Sequence, residues 1–285
     1  MSLKQLIKSI TPKFIINKIH AARKSQEMAA FHALPEESLD AKNLIHEKDV
    51  NLSEILNSKA IGDLWKESKK EIDSFDIPDG TGGVNPGDRR ALYYLLCHFK
   101  PSSILEVGTH IGASTLHIAS ALYISQVKLG EQVEFTTVDI RDVNCTSEKP
   151  WLNYGTKFSP LEMIAKFGYD QFTTFKAGMS LDLIKSTTKT FDFIFLDGDH
   201  SGGTVYQEIP AALKILNKNG VILLHDYFPN MKPLWSNGSL VEGPYLATER
   251  LINEGANLKV IPLGNLPWPT KLGTNITSLA LLVRT

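Results

Sequence analysis

The chain has 285 residues, 42% hydrophobic and 21% charged, with a formal net charge of −1. This composition suits one large globular domain, or a domain with an appendage, and near-neutrality excludes a global field that would gather nucleic acid or acidic membrane. No apolar run approaches the roughly 20 residues of an integral span, and two cysteines, Cys97 and Cys145, are too few for a disulfide framework and fit a reducing cytoplasm.

Residues 1–75 carry no legible chemistry and read as an N-terminal helical extension. Lys4, Lys8, Lys13, Lys18, Arg23 and Lys24 precede the first acid, Glu27. Leu3, Leu6, Ile7 and Ile10, then Ile15, Ile16 and Ile19, recur at helical spacing on either side of Pro12. Two readings stay open. One is a membrane-surface helix or targeting peptide. The other is an arm packed on its own domain or on a second subunit, which would make a homo-oligomer. Leu52 to Phe75 reads as one further amphipathic helical stretch. The loop Asp79-Gly80-Thr81-Gly82-Gly83-Val84-Asn85-Pro86-Gly87 is either a linker or a lid. A helix then runs from Asp88 to Leu96 and stops at Lys100-Pro101.

Residues 103–114, SILEVGTHIGAS, are the most informative stretch. A short β-branched apolar run ends at two glycines, and a helical pattern follows at once. Strand, glycine turn and helix in succession make the first βα unit of a nucleotide-binding α/β sheet. Gly108 permits a sharp turn, and Gly112 permits close approach of a ligand to the helix start. The order Glu106-x-Gly108-x-x-x-Gly112-x-Ser114 is not a dinucleotide fingerprint. An acid before the first glycine suits a ligand with a positive end and no phosphate.

The next strand, Val133 to Val138, ends in Asp139, placed to accept both ribose hydroxyls of an adenosine. Residues 141–158 read as a surface insertion, with Trp151 and Tyr154 available to a substrate wall, and a helix follows from Pro160 to Phe167. Phe172 to Lys176 is the third strand, closed by Ala177-Gly178-Met179-Ser180. The buried strand Phe191 to Leu196 runs into Asp197-Gly198-Asp199-His200. After a helix over 204–216 and a turn at Asn217 to Gly220, the strand Val221 to Leu224 runs into His225-Asp226-Tyr227. Two adjacent strands delivering acids and histidines to one sheet edge call for a chemical reason, because buried acids are costly unless paired or metal-bound. Residues 228–242 read as a substrate lid, 243–253 as a helix, and 258–263 and 279–284 as the last strands. Trp151, Trp235 and Trp268 fall where substrate loops would be.

Together these blocks resemble class I S-adenosylmethionine (SAM) methyltransferases over residues 76–285, and within them the metal-dependent small-molecule and sugar O-methyltransferases. The resemblance implies an α/β fold, a seven-stranded, mostly parallel Rossmann-like sheet whose final strand is antiparallel. It implies SAM held by Glu106, Gly108, Thr109, Gly112, Ser114, Asp139, Gly178 and Asp197, with the Gly178 loop bordering the adenine. Asp197 and Asp226 match metal-ligand positions, and Asp199 matches a general base. The chain departs from the group at His225, where an acid is usual. The metal set Asp197, His225 and Asp226 then suits manganese, iron or zinc better than magnesium. Otherwise His225 is a base or hydrogen-bond partner, or no metal binds.

The expected reaction is attack of a small-molecule hydroxyl on the sulfonium methyl, with Asp199, His200 or His225 as base. Three alternatives remain: a metal-independent SAM enzyme, a hydroxylase-like relative, and a non-catalytic SAM-binding protein. No nucleic-acid partner is expected.

Overall fold

The computed structural model describes residues 13–37, 39–81 and 83–285. Seven strands make one sheet in the order β3-β2-β1-β4-β5-β7-β6. They are β1 (Ser103–Val107), β2 (Glu134–Asp139), β3 (Thr173–Ala177), β4 (Phe191–Leu196), β5 (Leu216–Leu224), β6 (Lys259–Pro262) and β7 (Ala280–Val283). Only β7 runs against its neighbours. The mostly parallel Rossmann-like sheet expected from sequence is therefore present.

Nine helices are described: α1 (Lys13–Ala33), α2 (Leu52–Leu56), α3 (Lys59–Ile72), α4 (Pro86–Phe99), α5 (Ala113–Ser125), α6 (Pro160–Ala165), α7 (Ser180–Ser186), α8 (Gly202–Lys214) and α9 (Gly243–Asn253). They cover both faces of the sheet, which is why the central strands read as continuous apolar runs. Alternation along each strand divides the core. Ile104, Phe193, Phe195, Val221 and Leu223 pack with α3, α4 and α5. Leu105, Val107, Ile194, Leu196, Ile222 and Leu224 pack with α8 and α9.

The order of strands reverses between β1 and β4, and at such a switch point the carboxyl ends of the strands leave a crevice. Val107 pairs with Leu196, so the chain leaves β1 at Gly108 and β4 at Asp197 side by side.

Two details differ from the sequence expectation, and a third lies beyond what is described. The stretch 52–75 is two helices and a terminal turn, broken at Asn57-Ser58, where Ser58 Oγ accepts the Ile61 N–H and starts α3. Asn217 to Gly220 lies inside β5, where the pairing with β4 slips between Phe191 and Phe193. In the N-terminal arm the apolar set before Pro12 lies outside the described residues.

The far end of α1 packs on the chain's own domain. Phe31 is buried against α8, and the Arg250 guanidinium donates to the carbonyls of Phe31 (2.5 Å) and Leu34 (2.7 Å). It also lies 4.2 Å from the centre of the Tyr206 ring. Carbonyls at a helix end have no partner within the helix, so this arginine closes it. Among the described residues no helix is long and apolar enough to cross a membrane.

Candidate active site

A cavity of about 660 Å³ opens where β1, β2 and β4 end, lined by Gly108, Asp139, Gly178, Asp197, Asp199 and His200 among others. Gly108 has φ +99°, and a Cβ there would collide with the carbonyl oxygen of Asp197. Glycine thus lets the two strand ends meet. Asp139 Oδ2 accepts the N–H of His110 (2.8 Å), and Oδ1 accepts that of Arg141 (3.0 Å). These two bonds aim the carboxylate and leave lone pairs free.

His110 fixes the glycine-rich loop. Arg141 Nη2 lies 3.3 Å from its Nδ1, and arginine only donates, so Nδ1 accepts and Nε2–H donates to the carbonyl of Thr81 (3.1 Å). Thr81 and Gly83 line the cavity; Gly82 between them lies outside the described residues. The loop is therefore a wall fastened across the crevice.

Four expected cofactor residues sit behind that wall. Glu106 is wholly buried and accepts from Ser114 Oγ (2.6 Å), Thr115 Oγ1 (2.6 Å) and Thr137 Oγ1 (2.7 Å). Thr137 has spent its one proton, so Thr109 donates to it (2.6 Å). Burial pushes the Glu106 carboxyl up to about 7 against the pull of its hydroxyl donors. The network staples β1 and β2 to α5. Gly112, at φ +77°, has no room for a Cβ because Pro160 Cβ would lie 2.7 Å away. Its missing side chain admits α6, where the sequence expectation placed a ligand.

Beside the cavity β4 and β5 deliver the ionisable cluster. His225 Nδ1 lies 2.8 Å from Asp197 Oδ1 and 3.6 Å from Asp226 Oδ1. His200 Nε2 lies 3.5 Å from Asp226 Oδ2 and 3.7 Å from Asp197 Oδ1. On its other edge His225 Nε2 meets Asp88 Oδ2 at 3.3 Å. Asp88 is in the first turn of α4, fully buried, and Asn85 Nδ2 donates to the same oxygen (2.6 Å).

Despite its short distance, His225 Nδ1 is not aligned for a hydrogen bond and has no bonded partner among the described residues. Burial alone would favour a neutral ring, but Asp197 and Asp226 outweigh it and hold the His225 pKa well above the ordinary value. Burial would raise Asp226, yet His225, His200 and Lys271 hold it below the usual carboxylate range. The cluster therefore has a place for one cation, met by a proton on His225 or by a metal ion. Ligand atoms of Asp197, His200 and His225 all lie within 4.8 Å of one another, close enough to share an ion. A mixed nitrogen and oxygen donor set fits a first-row transition ion better than magnesium.

The sequence model of a methyltransferase domain matches residues 105–227. That stretch of the chain is similar to a methyltransferase domain. Among solved structures, the O-methyltransferase TomG of tomaymycin synthesis from Streptomyces achromogenes, in complex with SAM, is 18% identical, with TM-score 0.51 over 84% of this chain and 96% of that one. An O-methyltransferase from Bacillus cereus in complex with S-adenosylhomocysteine (SAH) is also 18% identical, with TM-score 0.51 over 82% of this chain and 95% of that one. These two likenesses show the shared fold. No curated protein sequence matches significantly.

Asp199 stands apart from the cluster. It accepts from the Ser201 N–H (3.0 Å), Ser201 Oγ (3.0 Å) and Thr204 Oγ1 (2.7 Å) as α8 begins. Burial would raise its pKa, but these donors hold it below the usual range, which makes it a weak proton acceptor. Trp151, Trp235 and Trp268 are buried packing residues. Trp268 Nε1 donates to the Gly87 carbonyl (2.9 Å). Sequence reasoning missed Asp88, because an acid in a first helical turn looks like an ordinary end-of-helix residue. It also missed His110, whose only signal was its place between the two motif glycines.

Proposed function

We propose that this protein moves the methyl group of SAM to a hydroxyl of a small molecule, assisted by a divalent metal ion. The observation that carries the reading is the juxtaposition of a crevice edged by Asp139 with a carboxylate and imidazole cluster on the adjoining strand ends. Asp139 accepts the ribose hydroxyls, aimed by His110 and Arg141. The Gly178 loop borders the adenine, and Gly108 lets the cofactor lie against the strand ends. Glu106, Thr109, Gly112 and Ser114 act through shape, by holding β1, β2, α5 and α6 in place.

Asp197 and His225 would hold the ion, with Asp226 and His200 beside them. A bound divalent ion would lower the pKa of an acceptor hydroxyl and orient it. Asp88 acts as a positioning residue, since its hydrogen bond to Nε2 turns Nδ1 toward the carboxylates. His200 is assigned the base. Its side chain is about one-third exposed and lines the crevice, whereas His225 is buried and Asp199 is held by its donors. Proton removal by such a base is worth about 10²–10⁴-fold. The oxygen–methyl bond forms as the methyl–sulfur bond breaks, the proton goes to His200 Nε2, and SAH leaves.

Residues 76–285 are the proposed catalytic unit, and 1–75 the extension, of which Phe31, Ala41, Leu44 and Ile45 and several later residues contribute to the core. The free thiols Cys97 and Cys145 support a cytoplasmic setting.

The test is transfer of labelled methyl from SAM to a library of hydroxylated small molecules. Chelation should abolish it, and manganese or zinc should restore it better than magnesium. Turnover that survives chelation removes the metal from the reading. Absence of both labelled product and SAH removes the reading itself.

A further inference from the structure

A second cavity, of about 560 Å³, shares the Thr81 and Gly83 wall with the cofactor crevice and has His225 and Asp226 in its lining. An acceptor seated there would present its hydroxyl to the cluster, so the charges around this space bear on acceptor chemistry.

Two cations line it, Arg89 and Lys271. Arg89, in the first turn of α4, has only 6% of its side chain exposed. Its Nη2 donates to Asp79 Oδ1 (3.1 Å), but its Nε has no partner among the described residues. Asp79 itself is 70% exposed on the glycine-rich loop, so this pairing is screened on one side. Lys271 Nζ lies 3.6 Å from the centre of the Trp235 ring and makes no ion pair with a carboxylate among the described residues. Arg90 Nε likewise has no partner among the described residues, but its guanidinium stacks at 4.1 Å over Trp268 and donates to Tyr94 Oη (3.2 Å), and it does not line this space.

A buried guanidinium donor without an acceptor is costly. A neutral polyol would not balance two cations, whereas a carboxylate or phosphate matches the planar fork of arginine and the point charge of lysine. The facing acids are Asp79, paired with Arg89, Asp88, whose charge also acts on Arg89, and Asp226, which is engaged with the histidines and feels the charge of Lys271.

We propose that the acceptor is itself an acid, its carboxylate or phosphate held between Arg89 and Lys271 while its hydroxyl lies against His225 and Asp226. This rests on the O-methyltransferase reading above and names its substrate class.

The experiment titrates the SAH-loaded protein with 3-hydroxybenzoate, its methyl ester and inorganic phosphate, followed by calorimetry. The acid or the phosphate should bind, the ester should bind at least about tenfold more weakly, and Lys271→Ala should erase that preference. Arg89→Lys keeps the charge but loses the fork, and should weaken the anion about tenfold. Competition by phosphate against the hydroxybenzoate indicates a phosphate-bearing acceptor; hydroxybenzoate binding without competition indicates a carboxylate. The proposal is overturned if neither anion binds, if the ester binds as well as the acid, or if Lys271→Ala holds both anions as tightly as the parent. SAH affinity in the same titrations separates the two levels. Protein that binds SAH but fails these outcomes loses only the acidic acceptor, while protein that ignores SAH loses the methyltransferase reading beneath it.

Discussion

His225 Nε2 lies 3.3 Å from Asp88 Oδ2, across 137 positions of sequence. The bond joins the first turn of α4 to the end of β5 and fixes which imidazole nitrogen faces Asp197. Asp88→Asn keeps the shape and removes the charge. Metal affinity should fall about 10–100-fold and turnover with it, with SAM affinity unchanged. Metal titration and steady-state kinetics check this, and a variant with parental metal affinity and turnover would show Asp88 to be a packing residue only.

Asp199 is bound up in the turn that starts α8. Asp199→Asn should slow turnover by less than about tenfold and lower stability by about 1 kcal/mol. Turnover slowed by about a hundredfold or more, with the fold intact, would return the base role to Asp199.

The Glu106 carboxyl titrates at 4.5 in an unfolded chain and at about 7 in the folded protein. Folding therefore takes up a proton between those values, and stability falls as the pH rises through that window, levelling above about 7. The loss is on the order of 3 kcal/mol. Denaturant unfolding at about pH 5.5 and about pH 8 should show the difference in the parent and a smaller one in Glu106→Gln. Equal pH dependence in both would mean the carboxyl stays ionised in the fold.

Arg250 closes the end of α1 through the carbonyls of Phe31 and Leu34. Arg250→Ala should cost on the order of 2 kcal/mol and open the chain before Leu34 to limited proteolysis. Unchanged cleavage would mean that Phe31 and its neighbours hold the helix unaided.

The sheet is legible in the sequence because its strands are buried on both faces and end in glycine or charge. Gly108, Asp139, Asp197, His225 and Asp226 can be read from those strand ends alone. Other parts depend on contacts that no local pattern carries. Asp88 reaches the cluster only because α4 packs beside β5 and under the Trp268 loop, whose indole bonds the Gly87 carbonyl. Asp199 looks like a base by its neighbours, yet Ser201 and Thr204, which occupy it, are equally visible in the sequence as helix-starting residues. Gly112 signals close approach without saying of what, and in the fold Pro160 is what approaches.

The most direct measurement is calorimetric titration of SAM into the purified protein and into Asp139→Ala. The account predicts one molecule bound per chain, and at least about tenfold weaker binding when that carboxylate is gone from a protein that remains folded. No binding to the parent chain, or equal binding by both proteins, would contradict it.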